Sequence, residues 1–162
     1  LPLCPGGDLL HVLRRQPSQA LAEGSVRAYA SMIVLGLHAM HDAGLAYRDL
    51  KPENLLLRAN GYLRLADFGF AATKAECKKK GTLVGTALYQ APELLRKLPH
   101  DASVDWWALG CLLLEMVRGT SPFAAEDDEA TAAAVLAHPG NGAIPCAPTV
   151  SSSDLLTLRS QR

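Results

Sequence analysis

Apolar positions repeat at helical spacing along most of the chain and at strand spacing in one place only. Gly6-Gly7-Asp8 leads into a short helix through Arg15, with Asp8 placed to cap its first turn. Glu23-Gly24-Ser25 starts a longer one. There Val26, Tyr29, Ala30, Ile33, Val34, Leu37 and Met40 fall on one face, and Gly44 closes the helix. Leu45-Ala46-Tyr47 is a short apolar lead into a polar loop. Leu55-Leu56-Leu57 and Leu63-Arg64-Leu65 flank Asn60-Gly61, which predicts a β-hairpin with a type I′ turn. Thr73 to Leu83 is polar, Lys-rich and without period, and reads as a loop. Ser103 to Val117 is an apolar helix ending at Arg118-Gly119. Asp127 to Ala137 is an Ala-rich helix stopped by Pro139-Gly140. Asn141 to Thr149 is a connection, and Ser151 to Asp154 caps a last helix running to Arg162. The expected fold is mostly α with one small hairpin.

Composition narrows the class. The chain has 162 residues, enough for one core, and 49% of them are hydrophobic. Its formal net charge is zero, so nothing global points to nucleic acid or a membrane surface. The apolar run from Ala108 to Val117 is too short to span a bilayer and contains Glu115. Cys4, Cys77, Cys111 and Cys146 lie far apart, in no zinc-like spacing. A reduced, cytoplasmic protein is the expectation.

The chemistry is concentrated around the hairpin. Asp49 and Asn54 stand in a D-x-x-x-x-N spacing within Tyr47-Arg48-Asp49-Leu50-Lys51-Pro52-Glu53-Asn54, and Asp67-Phe68-Gly69 follows. A hairpin between them brings both carboxylates to one end of a small sheet. One carboxylate can face an attacking hydroxyl, while an amide and a second carboxylate hold Mg²⁺; phosphoryl transfer from ATP needs such a set. Ala91-Pro92-Glu93 comes later in the chain. Three motifs in this order resemble the C-terminal lobe of a eukaryotic protein kinase over nearly the whole length. The chain holds neither a Gly-rich loop nor a V-A-I-K-type lysine, so the expected domain is a partial kinase domain over residues 1–162, from the hinge to a truncated late helix, without the N-lobe sheet.

Tyr47 in place of the usual His, Asp67-Phe68-Gly69-Phe70-Ala71 and Asp105-Trp106-Trp107-Ala108-Leu109-Gly110 look like the AGC group of Ser/Thr kinases. The resemblance implies the following roles. Asp49 is the base or hydroxyl-orienting group, Lys51 neutralises the transferring phosphate, and Thr86 bonds both. Asn54 and Asp67 are Mg²⁺ ligands, and Tyr47 forms an aromatic wall against Phe68. Asp8 reaches the ATP ribose, and Leu9 and Leu56 lie under the adenine. Asp8, Glu53 and Glu115 face arginines of a protein substrate, with Glu53 also beside the nucleotide site. Thr82 is a phosphosite that pairs with Arg48 after the action of an upstream kinase. Glu93 expects an Arg partner late in the lobe, where Arg159 and Arg162 stand in no matching motif. Lys78-Lys79-Lys80 is a solvated run, Cys77 a surface thiol that exposure would make acidic, and Cys111 a core residue. Ala87 and Leu88 depart from the Pro and Glu of the group, at the ledge that receives the residue after the target hydroxyl. The implied activity is ATP·Mg²⁺-dependent transfer to Ser or Thr in a basic context, absent from these residues alone. The alternatives are a non-catalytic binding lobe and a small-molecule phosphotransferase. No nucleic-acid or membrane partner is expected.

Overall fold

The computed structural model of the chain describes residues 4–79 and 86–138. The predicted last helix, Thr82, Lys80, Cys146, Arg159 and Arg162 lie outside them. Helix α1 (Leu9–Arg14) is capped by Asp8, whose Oδ1 accepts the His11 N–H at 2.7 Å. The segment before it docks on strand β2 (Leu55–Leu57): Gly6 N–H donates to Leu57 O at 3.1 Å, and Leu57 N–H to Gly7 O at 2.8 Å. A Cβ on Gly6 would lie 2.6 Å from that of Leu57, so only glycine permits this approach.

Helix α2 (Glu23–Asp42) buries Val26, Ile33 and Leu37 of the predicted stripe and half-buries Tyr29, Ala30 and Met40, whereas Val34, expected on the same face, is 39% exposed. Gly44 follows at φ +77°, as a helix-closing glycine should. Strands β2 and β3 (Leu63–Leu65) pair antiparallel, with Leu55 opposite Leu65 and Leu57 opposite Leu63. The hairpin is where the sequence puts it, but its turn is not type I′. Asn60 has negative φ; only Gly61 is left-handed, at φ +80°. Gly61 N–H donates to Arg58 O at 2.9 Å, and Arg58 N–H to Tyr62 O at 2.9 Å. One left-handed residue after a tight turn makes a bulged, longer loop, which needs a single glycine.

A second two-stranded sheet escapes the sequence reading: β1 (Leu45–Ala46) pairs antiparallel with β4 (Ala72–Thr73). Part of the expected 73–83 loop is helical too. Helix α3 (Lys74–Cys77) starts on a capping box in which Glu76 N–H donates to Thr73 Oγ1 and Thr73 N–H to Glu76 Oε2. Helix α4 (Pro92–Leu95) has Pro at its start. Helix α5 (Ser103–Arg118) is the centre of the fold: Val104, Asp105, Ala108, Leu109, Cys111, Leu112 and Met116 are buried along it. It ends on Gly119 at φ +82°. There Leu21 N–H donates to Met116 O at 2.7 Å, tying the α1–α2 connection to the end of α5. Helix α6 (Asp128–Ala137) is capped by Asp127 Oδ1, which accepts the Ala130 N–H at 2.7 Å. The main core joins Leu9, Ile33, Leu37, Tyr47, Leu55 and Leu112, so the motif loop is threaded through it.

Candidate active site

The loop after β1 is held from below by α5. Asp105 is fully buried, and its carboxylate accepts from three donors. Oδ2 takes the Tyr47 N–H at 2.8 Å and His41 Nε2 at 2.7 Å; Oδ1 takes the Arg48 N–H at 2.7 Å. Arg48 sits at φ +67°, a strained conformation for a side chain with a Cβ. The two N–H bonds on Asp105 fix it. Arg48 Nε also donates to Phe70 O at 2.8 Å, which joins this loop to the Asp67-Phe68-Gly69-Phe70 run. Asp105 and His41 were missed as functional positions. Neither lies in the octapeptide; two of the partners of Asp105 are backbone N–H groups that no side-chain pattern marks, and the third, His41, lies 64 residues away in the chain.

Asp49 follows immediately and is 4% exposed. Its Oδ2 accepts Asn54 Nδ2 at 2.7 Å and Lys51 Nζ at 3.0 Å. Asn54 Nδ2 also donates to Asp49 O at 2.9 Å. These contacts spend the amide nitrogen on Asp49 and leave the amide oxygen of Asn54 without a hydrogen bond among the described residues. The hairpin then sets the second carboxylate. Ala66 N–H donates to Asn54 O at 2.9 Å, extending the β2–β3 ladder by one pair and putting Asp67 next in line. Asp67 is exposed, at φ +50°, with Oδ1 accepting the Gly69 N–H at 3.1 Å.

Tyr47 links the two halves. Its ring meets Phe68 edge-on, centroids 5.7 Å apart, and its hydroxyl donates to Ala66 O. Burial, followed by the charges of Asp49 and Asp67, pushes the phenol well above its ordinary range. Both carboxylates therefore act on one phenol. Among the described residues no three His, Cys, Asp or Glu side chains gather to form a metal site alone. The donors that remain, an amide oxygen and an exposed carboxylate, are all oxygen. That set suits Mg²⁺, which takes few protein ligands and completes its shell with phosphate and water.

The family model for the protein kinase domain matches residues 1–154. The chain belongs to the protein kinase family. It is 48% identical over 124 residues to a cAMP-dependent protein kinase catalytic subunit 2 of Drosophila melanogaster, which covers 76% of this chain and 34% of that protein. It is 42% identical over 134 residues to a cAMP-dependent protein kinase catalytic subunit-like protein of Caenorhabditis elegans, covering 83% and 33%. With the beta-adrenergic receptor kinase 1 of Mesocricetus auratus the figures are 44% over 124 residues, 76% and 18%. These likenesses agree with the AGC-type reading. The chain spans about a third of the length of the first two relatives.

The remaining kinase positions distribute as follows. Thr86 lines the same small cavity as Asp49 and Arg48, but its hydroxyl bonds neither Asp49 nor Lys51; the expected bond is not formed among the described residues. Leu9 is fully buried, so it offers no face to a ligand and instead supports β2 from within the core. Leu56 is half-buried on the opposite face of β2 from Leu55 and Leu57, and Asp8 pairs with it in an antiparallel bridge. Asp8 is already engaged as the α1 cap.

Glu53 is exposed, while Glu115 is half-buried and accepts the Tyr89 hydroxyl at 2.5 Å. Burial pushes the Glu115 carboxyl up; the Tyr89 bond pulls the other way, and the charge of Glu53 adds to the rise. Ala87 and Leu88 form a single 3-10 turn with Tyr89, and Leu88 packs against the main core. Glu93 makes no ion pair among the described residues. Cys77 is fully buried rather than at the surface, and desolvation raises its thiol instead of lowering it. It packs with Ala46 and Ala72, the two small residues of the β1–β4 pair. Cys111 is core as expected, its thiol pushed up to about 12 by burial. No helix among the described residues is long and apolar enough to cross a membrane.

Proposed function

We propose that residues 1–162 are the C-terminal lobe of an AGC-type Ser/Thr kinase that uses ATP and Mg²⁺. The observation that carries the reading is the single hydrogen-bonded unit of Asp49, Lys51 and Asn54, with Asp67 brought beside it through the Ala66 to Asn54 bond. Asp49 takes the substrate hydroxyl against its carboxylate and accepts the proton as the oxygen attacks. Lys51, held on Asp49, lies where its ammonium offsets charge on the transferring phosphoryl group. Asn54 Oδ1 and Asp67 hold Mg²⁺, which when bound neutralises phosphate charge as it develops.

Thr86 positions the hydroxyl once a substrate closes the cavity it shares with Asp49. Leu56 and Asp8 border the nucleotide, over Leu9. Asp8, Glu53 and Glu115 receive basic side chains of a protein substrate. The raised carboxyl of Glu115 is that of an acid buried without a cation, which a guanidinium would supply. Phosphate on Thr82, added by an upstream kinase, pairs with Arg48, whose terminal guanidinium nitrogens remain available beyond its Nε bond. A cytoplasmic location fits this work.

Transfer also needs a backbone cradle for the phosphates. The 162 residues contain no G-x-G-x-x-G, so they are inactive alone and act within a fuller kinase domain. The test is γ-phosphate transfer to Arg-rich peptides carrying Ser, Thr or Tyr, by the chain alone and by its parent. The proposal predicts transfer by the parent to Ser and Thr only. Turnover of about 1 s⁻¹ or faster by the chain alone, or preference for Tyr, contradicts it.

A further inference from the structure

A groove of about 220 Å³ runs between α2 and β3, apart from the catalytic set. Met32 and Ile33 of the helix and Leu63 and Leu65 of the strand supply its apolar lining, and Arg58 and Arg64 stand along it. Both arginines are exposed, and neither side chain makes an ion pair or hydrogen bond among the described residues. Among the described residues no carboxylate lines the groove. The exposed apolar surface continues one helical turn on, at Leu35, which is 68% exposed, and at Tyr62 beside Leu63, which is 57% exposed.

The dimensions argue against a cofactor, since small-molecule pockets run from about 300 to 1,000 Å³. The space suits one or two side chains. A further detail favours a polypeptide. Among the described residues, the Leu63 N–H on the outer edge of β3 is held only by Met32 Sδ, at 3.2 Å. A thioether is a weak acceptor, so a backbone carbonyl laid along this edge would improve the bond.

We propose that this groove is a docking site for a protein partner, engaging a short extended segment that carries acidic residues around an apolar anchor. The anchor enters between α2 and β3. The acidic side chains pair with Arg58 and Arg64, which have no ion-pair or hydrogen-bond partner among the described residues. The site would tether a substrate or regulator without touching the reacting groups, and its occupancy does not depend on the roles assigned to Asp49 or Asp67.

The test is fluorescence anisotropy with the labelled peptide Glu-Glu-Leu-Glu-Leu-Glu, against one with both leucines changed to serine and one with all glutamates changed to lysine. The purified protein should bind the first and discriminate about tenfold or more against the other two. The double variant R58E/R64E should reverse the charge preference, binding the lysine peptide over the acidic one. That gain of binding cannot come from misfolding. Equal binding of the leucine and serine acidic peptides, an unchanged charge preference in the variant, or no binding of the acidic peptide would each overturn the proposal. Displacement of the acidic peptide by a single-stranded oligonucleotide that binds more tightly would also overturn it, in favour of a nucleic-acid surface.

Discussion

Removing the Asp105 carboxylate should cost far more than an average core change, because three donors converge on it. Asp105→Ala leaves the Tyr47 and Arg48 N–H groups and the His41 ring without their acceptor in a site closed to water. An abandoned buried donor costs about 1–3 kcal/mol, and truncating one side of a buried charged network about 3–5 kcal/mol. A loss near 4 kcal/mol is a large part of the roughly 5–15 kcal/mol that holds a domain together. With a denaturant slope of about 2 kcal/mol per M, the urea midpoint should fall by about 2 M. Asp105→Asn keeps one acceptor oxygen but turns an NH₂ toward one of the two backbone N–H groups, so it should lose an intermediate amount. Urea unfolding followed by tryptophan fluorescence reads both, since Trp106 meets the His41 ring at 5.2 Å. In the full kinase the same variants should lower kcat, because Arg48 and Asp49 lose their anchor. A midpoint for Asp105→Ala within about 0.3 M of the unchanged protein would refute the reasoning, since that equals only about 0.6 kcal/mol.

Two further outcomes follow from particular contacts. Gly119→Ala puts a Cβ 2.1 Å from Ser18 O at φ +82° and should destabilise by about 1–3 kcal/mol, whereas Gly24→Ala meets nothing within 4 Å in a helix and should be neutral or stabilising by up to about 1 kcal/mol; thermal melts of the two variants check the contrast. Glu115 is raised by burial, so its ionisation costs stability as pH rises through its folded pKa, and a bound guanidinium offsets that cost. Binding of an Arg-rich peptide to the kinase should therefore tighten as pH rises from about 4.5, the ordinary carboxylate value, and Glu115→Gln should remove that component; an unchanged pH dependence in the variant contradicts the assignment.

What could be read from the sequence was what local rules encode. Asp8 and Asp127 cap helices where their spacing says they should, and Gly44 and Gly119 are the left-handed residues that follow α2 and α5. The octapeptide marked Asp49, Lys51 and Asn54 as neighbours, but that they bond to one another is seen only in the structure. Asn60-Gly61 located the hairpin but not its turn, because one glycine serves both turn types and the loop length between β2 and β3 decides. The β1–β4 pair was illegible: each strand has two residues, too few for a period, and they are far apart in sequence. Thr73 and Glu76 did carry a capping-box spacing, but four residues of helix among lysines read as loop. Cys77 was assigned to the surface from those same lysines, whereas Ala46 and Ala72 enclose it, a long-range fact. Asp105 shows the limit most plainly. Two of its three partners are backbone N–H groups, which have no letter in a sequence, and the third, His41, is 64 residues away.

The central claim is a division of labour between the two carboxylates, and Mg²⁺-dependent ATP binding tests it most directly in the chain restored to its full kinase domain. Asp67→Asn should abolish Mg²⁺-dependent affinity, because it removes the charged ligand from an all-oxygen site. Asp49→Asn should leave that affinity nearly intact while kcat collapses, because Asp49 is bonded to Lys51 and Asn54 and is proposed to take the substrate hydroxyl rather than the metal. Equal loss of Mg·ATP binding in the two variants would contradict the account.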